Sequence, residues 1–295
     1  MVHKHNQEYK NGKNIKIAFF LNFFFSIIEF IGGYFTNSVA ILSDALHDLG
    51  DSFSLLLAWY FQKVSGKTRD KKYSYGYKRF SLLGALINSV ILLVGSGFIL
   101  YESILRFSHP QQPFAEGMIL LAILGIFVNG LAVFRLKQGD SINEKVVSLH
   151  LLEDVLGWIA VLLVSVIMLF VNAPFLDPLL SIGIACFILY NVYKNLRSTF
   201  KVILQGIPEN IDEEEIKRII QNTEGVMSIH DLHIWTMDGE YIILTAHIVA
   251  NSSIQTRQQT DNLKALVKEK LISQGIHHPT IEIEYENSTC AGGCC

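Results

Sequence analysis

Apolar residues run in long blocks through roughly the first 205 positions of the chain, then give way to short alternating patterns. A helix needs about 20 predominantly apolar residues to cross the hydrocarbon core of a bilayer. Stretches at about 15–35, 39–62, 79–106, 115–136, 146–171 and 175–198 meet that length and predict six spans. Polar and turn-forming residues divide them: Thr36, Asn37 and Ser38 after the first, the segment from His109 to Pro113 after the third, and Ala173, Pro174, Asp177 and Pro178 after the fifth. From 206 onward the pattern predicts a small α-β-β-α-β domain. An acid-first, base-last helix near 211–220 suits the helix dipole. Two Ile/Val/Thr-rich strands, Val226 to Thr236 and Tyr241 to Val249, flank a turn at Met237 to Glu240. A helix at 254–273 and a third strand at 280–285 complete it. The expected organisation is an N-terminal segment 1–14, a transmembrane domain 15–205, the small α+β domain 206–288 and a cysteine-rich tail 289–295.

Composition and charge sharpen this division. Only 17% of the 295 residues are charged, against about 25% in ordinary soluble proteins. The net charge of −3 hides an asymmetry, because positions 206–295 hold 6 Lys/Arg and 14 Asp/Glu while the part before them is basic. Lys and Arg gather in the N-terminal segment, in the loop from Lys63 to Arg79, around Arg135, Lys137 and Lys145, and after the sixth span at Lys194, Arg197 and Lys201; the opposite loops hold only Arg106. Basic residues collect on the cytoplasmic side, so both termini are expected there. The first apolar run lacks a cleavage pattern and reads as a retained span. Cys186 lies in an apolar run and Cys290, Cys294 and Cys295 crowd the tail, which suggests free thiols rather than a disulfide framework. Nothing in the pattern points to a nucleic-acid partner.

Chemistry concentrates in the second and fifth spans. Asp44, His47, Asp48 and Asp51 recur at i, i+3, i+4 and i+7, one face of a helix. His150 and Asp154 repeat the four-residue His/Asp spacing, with Glu153 off that direction. Ionisable groups inside a membrane are costly and mark function by default. A lone one could merely pair across helices, but two matched pairs are hard to explain so. Two imidazoles and two carboxylates make a ligand set suited to tetrahedral Zn²⁺. They favour it over Mg²⁺ or Mn²⁺, which prefer oxygen-only shells, and leave Co²⁺, Fe²⁺ and Cd²⁺ open. Glu29, Asn22, Asn88 and Asn129 are secondary polar positions that line a path or join helices.

These residues meet a known family. The stretches Glu29 to Asp51 (EFIGGYFTNSVAILSDALHDLGD), Tyr75 to Asn88 (YGYKRFSLLGALIN), His150 to Trp158 (HLLEDVLGW), Asp177-Pro178, Leu204 to Pro208 (LQGIP) and Ile229 to Trp235 (IHDLHIW) together resemble the cation diffusion facilitator family over nearly the whole chain. The chain looks most like its bacterial cadmium/cobalt/zinc-resistance branch. The resemblance implies a homodimer of six-helix protomers in a bacterial inner membrane, each with a cytoplasmic ferredoxin-like domain. It implies efflux of zinc, with cadmium, cobalt and iron as further cargoes, in exchange for protons. His47, Asp51, His150 and Asp154 would form the transport site. His230 and His247, with Glu284 nearby, match positions that bind metal in the cytoplasmic domain of some members, where bound zinc would be regulatory. Thr260, near a further ligand position, is a poor donor. The His-rich loop common in relatives is absent between Leu136 and Val147. No phosphate-binding GxxxxGK[ST] loop is present, which argues against ATP-driven pumping. A membrane metalloenzyme is the rival reading, but it would keep a coordination position open for water.

Overall fold

The computed structural model describes residues 2–136 and 142–285; for 2–18, 55, 58, 59, 136, 142–147 and 150 the description is of the backbone alone. Cys290, Cys294 and Cys295 lie outside the described residues. The chain packs as two compact units, Met1–Tyr60 with Gly84–Asn195, and Phe61–Leu83 with Leu196–Cys295.

The first unit is built from α1 (Val2–Thr36), α2 (Val39–Ser65), α3 (Phe80–Ser108), α4 (Ala115–Leu136), α5 (Ile142–Phe170) and α6 (Leu176–Ile203), of which α2, α3 and α6 extend beyond it in sequence. Among the described residues, five helices contain stretches long and apolar enough to cross a membrane: Phe19–Thr36, Phe80–Ser108, Ala115–Arg135, Leu151–Phe170 and Leu176–Ile203. The sixth long helix, α2, is not among them, because Asp44, Asp48 and Asp51 dilute its apolar run. The outward positions of the apolar helices are large hydrophobics such as Phe24, Phe98, Phe127 and Leu163, the surface that lipid-facing helices require.

Helix α1 ends sharply for a local reason. Asn37 adopts a left-handed backbone, φ 54°, which Asn tolerates better than most residues. The Ser38 amide then donates to the Gly33 carbonyl and the Asn37 amide to that of Tyr34, a Schellman closure. Helix α2 begins at once, leaving its first amides in need of acceptors. The Ser38 hydroxyl accepts from the Ile41 amide at 3.2 Å. Asp177 of α6, 1% exposed, accepts from the Ser38 hydroxyl and from the amides of Val39 at 2.8 Å and Ala40 at 3.4 Å. Arg106 of α3 secures the same corner: its guanidinium donates to the Asn37 backbone and side-chain oxygens, both at 2.8 Å, and to Glu102. Below the corner, α2 and α3 approach through reciprocal glycines, with Leu92 seated on Gly50 and Leu46 on Gly95. Small residues of this kind let membrane helices pack backbone to backbone.

In the second unit the connection between α2 and α3 is tied by Asp70, which accepts from the amides of Lys72 and Tyr73 and from the Tyr77 hydroxyl. These bonds, the Tyr73 amide foremost, hold the Asp70 carboxyl below the usual carboxylate range. The C-terminal part runs α7 (Glu213–Gln221), β1 (Val226–Thr236), β2 (Ile242–Ala250), α8 (Arg257–Ser273) and β3 (His278–Tyr285). Its sheet has the order β1-β2-β3, antiparallel across the hairpin and parallel across the α8 crossover. Asp212 caps α7, and Thr256 with Gln259 forms a capping box on α8. Ile216 and Ile220 of α7 and Leu263, Val267 and Leu271 of α8 close over Leu244, Ile248 and Ile281 of the sheet.

Replacing Asp177 by alanine removes the acceptor for the Val39 and Ala40 amides at a buried helix start, a loss of about 1–3 kcal/mol. The thermal midpoint of the purified protein should fall by roughly 3–10 °C. An Asp177→Ala protein that melts with the wild type would show that α2 is held some other way.

Candidate metal sites

Helix α2 places its ionisable residues on one face by periodicity alone, and the bundle turns that face inward. His47 Nε2 lies 3.7 Å from Asp51 Oδ2, one helical turn on. Both side chains remain partly accessible, 17% and 24%. Asp44 and Asp48 are buried deeper, as are Glu29 of α1 and Asp154 of α5. Among the described residues no hydrogen bond reaches either carboxyl oxygen of Asp48, or either polar atom of the Asn129 amide. The burial of Glu29 is greater than its secondary place in the sequence pattern suggested. Helix α5 passes close to α2 here: a Cβ at Gly157 would stand 3.7 Å from Asp44 Oδ1, in ordinary contact.

On the other side of α5, Trp158 is wholly buried against Phe25 of α1, and its ring sits where a Cβ on Gly125 of α4 would otherwise be, 2.4 Å away. Gly125, Trp158 and Phe25 thus set the α1, α4 and α5 packing that brings Asp154 inward. His150 lies on α5 one turn before Asp154, and its side chain is outside the described residues. A cluster of carboxyl groups in an apolar interior has to be balanced by a bound cation or by protons. His47, Asp51 and Asp154 offer nitrogen and oxygen donors for such a cation.

The second cluster arises from strand register. His230 of β1 pairs directly with His247 of β2, and Glu284 of β3 pairs with Val249, two positions from His247 on the same face. The three residues converge, with one ligand atom of each within 4.8 Å of the others. Glu284 Oε1 is 2.7 Å from His247 Nδ1 and Oε2 is 3.4 Å from His230 Nε2. Two imidazoles and a carboxylate match the three-residue donor set of open zinc sites. Thr260, the weak position in the family comparison, instead bonds the Tyr285 hydroxyl at 2.7 Å. His233 lies apart from the trio and meets Asp231 at 2.9 Å. The sequence pattern drew attention to neither Asp231 nor Glu282, each 3.6 Å from His247 Nε2, nor to the capping role of Asp177. Only the even spacing of Glu282 and Glu284 on one strand face hinted at the second of these.

Known proteins match the chain along nearly its whole length. Residues 15–204 match the cation efflux transmembrane domain and residues 208–286 the cation efflux protein cytoplasmic domain. A cadmium, cobalt and zinc/H(+)-K(+) antiporter of Bacillus subtilis is 37% identical over 97% of this chain and 93% of its own. The metal cation efflux system protein CzcD of Cupriavidus metallidurans is 33% identical over 96% and 89%. The zinc transporter ZitB of Escherichia coli is 28% identical over 100% and 96%. Two family domains spanning nearly the whole length, and relatives matched end to end, bear out the resemblance: the chain belongs to the cation efflux, or cation diffusion facilitator, family.

Proposed function

We propose that this protein exports divalent transition-metal cations, chiefly zinc, across a bacterial inner membrane in exchange for protons, with cadmium, cobalt and iron as further cargoes. The observation that carries the reading is the inward face of α2, where His47 and Asp51 stand one turn apart in a bundle that also buries Asp154. The names of the relatives, which specify cadmium, cobalt and zinc antiport and zinc transport, support the same cargo. In this reading α2 is the sixth span, tolerated despite its acids because they face the bundle, and the basic loops keep both termini cytoplasmic. The soluble part is a ferredoxin-like module through which two protomers pair. His230, His247 and Glu284 form a second zinc site there, where bound zinc would act as a regulator.

Transport follows from the chemistry of the four ligands His47, Asp51, His150 and Asp154. Imidazole nitrogen and carboxylate oxygen bind metal only when deprotonated. Metal and protons therefore compete for the same atoms, and a conformation open to the acidic side discharges metal as the ligands take up protons. His47 and Asp51, the more accessible members of the α2 row, are suited to meeting an ion that arrives from water. Asp44, Asp48 and Glu29 lie deeper and contribute negative charge beside its position. No chemical bond of the cargo is made or broken, so the chain needs no catalytic residue.

In proteoliposomes with an imposed pH gradient, Asp51→Ala should lower zinc transport by roughly a hundredfold, since even outer-shell partners of metal sites cost 10–100-fold. Zinc transport by Asp51→Ala at the wild-type rate would refute the site. In the same vesicles Mn²⁺ should move much more slowly than Zn²⁺, because imidazole donors favour the latter; equal rates would contradict the ligand set. Collapsing the pH gradient should abolish uphill zinc movement, and persistence of that movement would rule out proton exchange.

A further inference from the structure

Asp231 has the features of a residue held in place for a purpose. It sits between His230 and His233 with φ 51°, a left-handed conformation that is uncommon for a residue with a side chain. The strand pairing shifts there: β1 advances three residues from His230 to His233 while β2 advances two from His247 to Thr245. The extra residue is a β-bulge, a device that re-aims a side chain. Here it aims the Asp231 carboxylate across the sheet. One oxygen is 2.9 Å from His233 Nε2 and the other 3.6 Å from His247 Nε2.

The two nitrogens of His247 are thereby given different partners. Nδ1 faces Glu284 and, through it, His230; Nε2 faces Asp231 and Glu282. If Nδ1 is to offer its lone pair to a metal shared with His230 and Glu284, the ring proton has to reside on Nε2. A carboxylate beside that nitrogen stabilises this tautomer and fixes the ring orientation. We propose that Asp231 is a positioning residue that orients His247 for zinc at the His230, His247 and Glu284 cluster, and that its strained backbone is maintained for that role. Asp231 touches no metal itself, and His233 acts as its anchor by fixing the other carboxylate oxygen. The inference rests on the second zinc site proposed above.

A glycine at 231 separates the two explanations of the bulge. It accepts the positive φ without strain and deletes the carboxylate. Zinc binding is measured on the full-length protein in nanodiscs, in an Asp51→Ala background that removes a transport-site ligand. Adding His247→Ala to that background should abolish the zinc binding that the cytoplasmic cluster contributes. Adding Asp231→Gly should weaken that binding roughly 10–100-fold while the thermal midpoint stays level or rises. Asp231→Asn, which retains an acceptor oxygen without the charge, should fall between. Binding by Asp231→Gly as tight as in the background protein would overturn the positioning role and leave the site standing. Zinc binding that His247→Ala leaves untouched would overturn the site and the role together.

Discussion

The helix that carries Asp44, His47, Asp48 and Asp51 starts where a helix is hardest to start. Its first amides emerge directly from a one-residue left-handed turn at Asn37, within a packed corner of the bundle, with no bulk water to satisfy them. An unmet backbone donor in such surroundings costs about 1–3 kcal/mol, a sizeable part of a domain's stability margin. The Asp177 carboxylate, supplied by the start of α6, answers this need, and its negative charge suits the positive end of the α2 dipole. Everything further along α2 inherits its position from that cap. His47 lies a little over two turns in and Asp51 a turn beyond, so a shift of the helix start would displace both together.

The same constraint explains why the acids are graded in depth. A carboxyl group in the bundle needs either a partner or a cation, and the corner supplies permanent partners. There Asp177 has its amides and Glu102 its Arg106, and both are fixed. Along the middle of α2 the acids are gathered near one another, together with Glu29 and Asp154. A static protein would gain little from that arrangement, because like charges in apolar surroundings repel. A protein whose task is to hold an ion transiently gains a site whose attraction for a cation is strong and whose occupancy protons can reverse.

Much of this was legible in the sequence, for reasons that differ by element. Long apolar runs have few ways to fold, so the helices follow from hydropathy; α2 is recognisable as the exception because its acids repeat at helical spacing. The hairpin and the third strand follow from alternation. His47 and Asp51 are neighbours on one helix, and their 3.7 Å approach is a property of the 3.6-residue turn. The Asp177 cap is a different matter. Its partner lies 138 residues away, and no local pattern in an Asp-Pro pair distinguishes a cap from a turn. Asp231 was hidden by its neighbours: between two histidines it reads as an incidental acid, and only the register slip shows that its side chain crosses the sheet. Gly125 is equally mute until Trp158 is seen filling the space that its missing Cβ leaves.

The two candidate sites use secondary structure in opposite ways, and the contrast bears on their roles. The candidate ligands of α2 and α5 come from separate helices, so any relative motion of those helices would alter the distance between the donors and with it the affinity. The cytoplasmic trio comes from three adjacent strands tied by backbone hydrogen bonds, with Ile216, Ile220 and Leu271 packed over the sheet. The backbone positions that carry those donors cannot separate without breaking the sheet. A site made of movable parts suits a cargo that must be released every cycle. A site made of fixed parts suits an ion that stays, and spending backbone strain at Asp231 to orient a ligand makes physical sense only at the second kind.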